Sequence, residues 1–254
     1  MAAEMASYHG PGTCTFYGTA NSNRMLMEFM GLHLPGASLL PPNSDLRDAL
    51  NFQGTAQVIA NTQMGNSYIP TAKILNEKAW VNGIVGLMAT SGSTNLVLYI
   101  PAMARAAGVV ILPKDFADIS QIVPLLAKVY PNGLADINHF HDSGGLPYLM
   151  SQLLSSGPLH EDFNTIMGVG LHHFSKQAVL KDGIVEYSDA PMHSLNKKIL
   201  RSINDPFDIC GGLQILKGNL GTAVVKISVV AADKRLIEAP AAVFHSQIEV
   251  KKAF

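Results

Sequence analysis

Apolar positions recur at helical spacing up to about residue 205, and beyond it they gather into short runs separated by glycines. Leu46, Ala49, Leu50, Ala56, Ile59 and Ala60 follow a 3.6-residue repeat, so the spacing predicts a helix over 45–62. Ser44 stands ahead of it as N-cap, with Asp45 and Asp48 in its first turns, where acidic groups favour the positive end of the helix dipole. A Met-rich run over 25–30 predicts a shorter helix stopped by Gly31. After a polar break from Met64 to Pro70 comes a helix over 71–80, which Gly83 separates from an apolar run ending near Thr90. LVLYIPAMARAAG reads as a helix capped by Thr94 or Asn95, kinked at Pro101 and stopped at Gly108. VVIL at 109–112 then reads as a buried strand, and a helix followed by a buried strand is the order a parallel α/β sheet requires.

Asp118 to Tyr130 reads as a helix interrupted at Pro124 and closed by Pro131-Asn132-Gly133. A strand from Leu134 to Asn138 is expected next, and Pro147 marks the first turn of a helix ending at Gly157. Residues 160–205 are less regular, although Asp182-Gly183 between β-prone runs signals a hairpin. After Asn204-Asp205-Pro206 and Gly211-Gly212 the helical pattern stops, and LQILKGNL, AVVKISVV and AAVF read as strands. The expected division is a parallel-sheet α/β domain over 1–205 and the start of a β unit over 206–254. Such an unfinished β unit leaves strand edges unpaired, so the isolated chain is expected to aggregate.

Composition narrows the class. Apolar residues make up 48% of the 254 and charged ones 15%, which allows a sizeable core and leaves the surface short of charge for a free monomer. A net charge of −1 without a basic cluster gives no electrostatic case for nucleic acid. The two cysteines, Cys14 and Cys210, make no disulfide framework and suit a reducing cytoplasm. No apolar run is long enough for a membrane span, and MAAEMAS lacks the features of a secretion signal.

The candidate chemistry is sparse. Cys14 sits in a turn-rich loop after Gly10-Pro11-Gly12, where a thiolate serves as nucleophile or metal ligand; the plain alternative is a free cysteine packed as a small hydrophobe. Ser93, Thr94 and Asn95 lie at an expected helix N-terminus, which attracts phosphate or carboxylate, or is simply an N-cap. His139 and His141 share a face if their segment is extended, which would suit a metal or a substrate phosphate, but Asp142 then points away and no three-ligand set results. His172-His173 reads as a surface pair. Gly168-x-Gly170 lacks the rest of a dinucleotide fingerprint, and zinc-type Cys/His spacing is absent.

Several ordered motifs carry a resemblance. GTCTFYGTANSN, MEFMGLHLPGAS, PPNSDLRDAL, NEKAWVNGIVGLMATSGSTN, VYPNGLADINHFHDSGGLP, LHEDFNTIMG, GGLQILKGNLGTAVVKIS and EAPAAVF resemble the dihydroxy-acid and phosphogluconate dehydratase family nearly end to end. NHFH and HEDFNT favour its phosphogluconate branch.

The resemblance implies a hydro-lyase that removes water from a phosphorylated sugar acid in the Entner-Doudoroff pathway. An iron–sulfur cluster, 4Fe-4S rather than 2Fe-2S, would act as Lewis acid, with Mg2+ as a further cofactor and a homodimer as the assembly. Cys14 matches the family's last cluster cysteine, and Ser93, Thr94, Asn95 and His139 are carried over as substrate-binding positions. The other cluster cysteines, the magnesium carboxylates and the proposed serine base match nothing in this chain. It is therefore expected to be an internal fragment, inactive alone, ending in the first strands of a carboxyl-terminal barrel. The alternatives are a sister enzyme for other sugar acids or 2,3-dihydroxy-3-methyl acids, and a non-catalytic remnant or interaction module.

Overall fold

Two helices pressed together at glycines form the centre of the protein. The computed structural model describes residues 14–254, so the Gly10-Pro11-Gly12 turn expected before Cys14 lies outside the described residues. Helix α1 (Thr19–Phe29) buries Met25, Leu26 and Phe29, and α4 (Glu77–Thr90) is buried on nearly every side from Ala79 onward. A Cβ on Gly86 would stand 2.7 Å from Met25 Sδ and from Phe29 Cγ, so only a bare backbone lets α1 lie this close. Gly83 meets Leu26 and Met30 in the same way. The break expected at Gly83 is therefore absent. The interruption comes earlier, between α3 (Thr71–Ile74) and the Asn76 N-cap of α4, whose side chain accepts from Ala79 N at 3.1 Å.

Helix α2 (Asp45–Asn61) forms where its spacing placed it, with Ser44 Oγ accepting from Arg47 N at 3.2 Å. Of its apolar positions Leu50 is buried, whereas Val58 and Ile59 remain well exposed. Helix α5 (Leu96–Ala106) contains Pro101 and buries Leu96, Ile100 and Ala104, a single stripe at four-residue spacing. Helix α6 (Pro113–Ile122) stops before Pro124, so the helix expected through Tyr130 is corrected. Val123 to Val129 instead runs extended and largely buried. Leu126 N donates to Ala89 O at 2.8 Å, while Leu125 and Ala127 bridge antiparallel to Asp208 and Leu200.

The parallel sheet expected from VVIL does not form among the described residues. Residues 109–112 carry no strand, and the described strands pair as three separate antiparallel two-stranded sheets. These are β1 (Asn164–Thr165) with β2 (Gly168–Val169), β3 (Lys176–Lys181) with β4 (Ile184–Asp189), and β5 (Gln214–Gly218) with β6 (Gly221–Val225). The α/β class therefore stands as a mixture of helices and small sheets, with no closed barrel among the described residues. Asp182 (φ 50°) and Gly183 (φ 78°) make the two-residue turn of the β3–β4 hairpin that the sequence signalled. The expected strand at 134–138 is likewise replaced by helix α7 (Ile137–Asp142), which Asp136 caps. Helix α8 (Gly145–Ser156) ends at Gly157 as expected. AAVF is irregular, and the chain finishes in α9 (Gln247–Ala253).

The β3–β4 hairpin covers a satellite core of Leu34, Ala37, Leu40, Leu50 and Ala178. The loop that feeds it is held by Glu28, fully buried at the end of α1, whose carboxylate accepts from Gly36 N at 2.6 Å and Ser38 N at 3.1 Å. Burial raises the Glu28 pKa above the ordinary 4.5.

Two outcomes follow from this packing. Gly86→Val should lower unfolding free energy by about 2–3 kcal/mol in urea titrations, the range for overpacking a dense core. Glu28 retains a proton in the folded chain that the unfolded chain has released, so its contribution to stability falls as pH rises above 4.5. Urea midpoints of Glu28→Gln should lack that decline when compared with the parent over the same pH series.

Candidate functional site

The Cys14 loop is tied down by the first turn of the helix that follows it. Helix α1 begins at Thr19, six residues ahead of the expected Met-rich start, which places Asn21 beneath the loop. Asn21 Nδ2 donates to Cys14 O at 3.0 Å and to Phe16 O at 2.8 Å. Tyr17 N donates to Tyr130 O at 2.8 Å, and Ile137 N at the start of α7 donates to Thr15 O at 3.3 Å. Tyr17 Oη donates to Thr90 Oγ1 at 2.9 Å inside the core, where burial pushes its phenol well above the ordinary range. The loop is thus pinned to three distant elements while Cys14 itself stays exposed and in no disulfide. The packed-hydrophobe alternative for Cys14 is corrected by that exposure.

Cys14 opens onto a cavity of about 250 Å3 that is also lined by Asn21, Arg24, Arg47, Ile137 and Asn138. Arg24 projects from α1 and Arg47 from the first turn of α2. Arg47 Nη2 donates to Leu40 O at 2.5 Å. Burial draws the Arg47 pKa down, and the neighbouring Arg24 charge draws it further. His33 is lowered for the same reasons, burial first and then Arg47 and Arg24. The wall of this cavity is electropositive.

Ser93, Thr94 and Asn95 lie elsewhere. Ser91, in the left-handed region at φ 50°, ends α4 and turns the chain back toward α1. Ser93 N donates to Ser22 Oγ at 2.9 Å, Ser93 Oγ lies 2.9 Å from Thr19 Oγ1, and Asn95 Nδ2 donates to Thr19 Oγ1 at 2.8 Å. The GTAN and GSTN motifs therefore meet at Thr19, and neither Ser93, Thr94 nor Asn95 lines the Cys14 cavity. Asn95 occupies the N-cap position of α5 without a capping bond from its side chain, so the cap expected there is corrected: its amide goes to Thr19.

His139 stands in α7, half exposed, with Nδ1 2.8 Å from Asp136 Oδ1. On a helix, residues two apart point in nearly opposite directions, so the face shared by His139 and His141 is lost. His172 and His173 stack with ring centroids 4.0 Å apart, and His172 Nδ1 lies 3.1 Å from Glu161 Oε1 at the surface.

Sequence reasoning missed Arg24, Arg47 and Asn138. The available signal was a polar line of Asn21, Arg24 and Glu28 at helical spacing on an otherwise buried helix. A second polar cluster also went unseen. Ser91 O accepts from both Asn132 Nδ2 and Lys226 Nζ at 2.9 Å, and burial pulls the Lys226 ammonium down to about 8.

Among the described residues no group of three or more His, Cys, Asp and Glu side chains is placed to hold a metal ion. Cys210 is spent on another face, with Sγ 3.9 Å from Gln121 Oε1. An exposed thiol at a cavity rim fits one ligand of a thiolate-held cluster, but these residues do not make a complete set.

Comparison with known proteins decides the family. Residues 1–174 match the model of the dihydroxy-acid/6-phosphogluconate dehydratase N-terminal domain, and residues 198–254 match that of the C-terminal domain. The chain belongs to this family. Across its whole length it is 51% identical to the phosphogluconate dehydratase of Rhizobium meliloti and 50% identical to that of Escherichia coli K12. A dihydroxy-acid dehydratase of Sulfurisphaera tokodaii is 34% identical over 96% of the chain. The chain spans 42% of the length of the phosphogluconate dehydratases and 41% of the dihydroxy-acid dehydratase. Within the family framework, the Cys14 loop, the GTAN helix start and the GSTN turn form one hydrogen-bonded unit. No helix among the described residues is long and apolar enough to cross a membrane.

Asn21→Ala removes two of the bonds that hold the Cys14 loop, so it should cost about 2 kcal/mol of stability, roughly 1 kcal/mol per bond. Urea unfolding of the two proteins side by side measures it.

Proposed function

We propose that this chain is part of a phosphogluconate dehydratase. The reaction is loss of water from 6-phospho-D-gluconate: the proton at carbon 2 and the hydroxyl at carbon 3 leave, and the resulting enol becomes the ketone 2-dehydro-3-deoxy-6-phospho-D-gluconate. The observation that carries this reading is the exposed Cys14 thiol at the rim of an electropositive cavity, in a chain half identical to enzymes of that name. Cys14 would be one ligand of an iron–sulfur cluster of the 4Fe-4S type, which when bound supplies a Lewis acid for the departing hydroxyl. Asn21 holds the Cys14 backbone in place, and the guanidinium groups of the cavity favour an acidic substrate.

Ser93, Thr94, Asn95 and His139 would be substrate-binding positions, with Ser93 and Asn95 tied to the start of α1 through Thr19 and His139 on the exposed side of α7. Residues 1–205 would belong to the α/β dehydratase domain, parallel-sheeted when complete. Residues 206–254, with the β5–β6 hairpin, would open the barrel domain. The split between the two family matches supports that division. Mg2+, a homodimer and a cytoplasmic location complete the reading. The weaker identity to a dihydroxy-acid dehydratase makes 2,3-dihydroxy-3-methyl acids the second substrate class to assay.

The test is anaerobic reconstitution of the enzyme containing this chain, followed by assay with 6-phosphogluconate. Cys14→Ser should lower bound iron and abolish formation of the 2-keto acid, while circular dichroism stays unchanged. Full iron loading and turnover in that variant would remove Cys14 from the cluster. Turnover of dihydroxy-methyl acids but not of 6-phosphogluconate would move the enzyme to the other branch.

A further inference from the structure

The cavity beside Cys14 holds an amide and two cations whose bonding is incomplete. Asn138 is 2% exposed, lines the cavity, and has no hydrogen-bond partner at either Nδ2 or Oδ1. Leaving a buried amide unbonded is costly, and in native proteins such a group marks a place where something else binds. The backbone of Asn138 is held in place, because its N–H donates to the Asp136 side chain at 3.0 Å as part of the α7 cap.

The charges on the same wall are equally unbalanced. Among the described residues, Arg24 bonds beyond its helix through its carbonyl, to Ser38 Oγ at 2.9 Å, while its guanidinium makes no hydrogen bond or ion pair. Arg47 spends one nitrogen on Leu40 O and keeps its other donors. Glu28 attracts Arg47 more weakly than Arg24 repels it; its carboxylate accepts from the Gly36 and Ser38 N–H groups, and burial raises its pKa. The exposed Arg24 draws the part-buried Arg47 down, and an anion placed between the two guanidiniums would relieve that repulsion.

We propose that this cavity is an oxyanion site in which Arg24 and Arg47 bind the carboxylate or phosphate group of the substrate and Asn138 binds a neighbouring hydroxyl. The assignment deepens the dehydratase reading and rests on it for the identity of the ligand. The shape of the site does not: about 250 Å3 has room for an acidic head group with its adjoining carbon atoms. Guanidiniums suit both candidate ends because each presents paired oxygens to a planar fork of donors.

Titration calorimetry of the purified protein with inorganic phosphate, D-gluconate and 6-phosphogluconate tests the site. Arg24→Gln should weaken 6-phosphogluconate by at least about tenfold, the effect of losing a charged hydrogen-bond donor, and should leave the fold intact because that guanidinium bonds nothing else described. If phosphate competes and D-gluconate does not, the phosphate end occupies the cavity; the reverse result assigns the carboxylate end.

Asn138→Leu supplies an independent readout. It removes the unbonded amide at nearly constant volume, so the melting temperature of the free protein should hold or rise while 6-phosphogluconate binding weakens. A purely structural Asn138 would show the opposite. Undiminished affinity in both variants, or no binding of any of the three ligands, overturns the site. Arg24-dependent phosphate binding without dehydration of 6-phosphogluconate would sink the dehydratase reading and leave the site. Dehydration with unchanged KM in Arg24→Gln would do the reverse.

Discussion

Close approach of α1 to α4 is the constraint on which the rest of the structure depends. Only glycine at 83 and 86 lets the Met25, Leu26 and Phe29 side chains settle against the α4 backbone. That contact fixes the axis of α1, and its polar face follows from the axis. Thr19 then lies against the Ser93 turn, Asn21 under the Cys14 loop and Arg24 on the cavity wall. Glu28 closes the same face by gripping the backbone of residues 36 and 38. A single helix, apolar on one side and polar on the other, thereby organises both core and site.

The polar face shows how the protein distributes charge. Glu28 gives its oxygens to backbone N–H groups, and its attraction for Arg47 is outweighed by burial and by Arg24. The arginines are left facing a cavity rather than each other's partners. Holding two like charges on one cavity wall, one of them part-buried, is unfavourable, and proteins retain such arrangements where a ligand supplies opposite charge. Stability of the free chain and affinity for an anion are in that sense opposed here.

Legibility in the sequence varied with the range of the forces involved. Local signals were reliable: Ser44 before α2, the Asp182-Gly183 turn and the Pro147 to Gly157 helix all stand as read. Signals that depend on tertiary context misled. Gly83 suggested a break because the packing of Leu26 and Met30 against it is invisible locally. VVIL suggested a buried strand, yet Val110 and Leu112 are exposed and find no pairing partner. The segment at 134–138 read as a strand because the Asp136 cap of α7 was overlooked. Cys14 was legible through its motif. Asn138 was not, since an asparagine one residue before a histidine gives no hint that its amide is buried and unbonded.

The extended segment from Val123 to Val129 has a bearing on how the chain is made. Its neighbours are Ala89 on one side and residues 199 to 208 on the other, so its hydrogen bonds close only when remote parts of the chain are present. During synthesis the helices up to α6 emerge well before those partners, and the central segment must wait uncovered. Long-range closure of this kind slows folding and prolongs exposure of apolar backbone. Ile137 likewise anchors the Cys14 loop from far along the chain. A nascent chain would therefore carry its exposed thiol on a loop held only by Asn21 until most of the domain has left the ribosome.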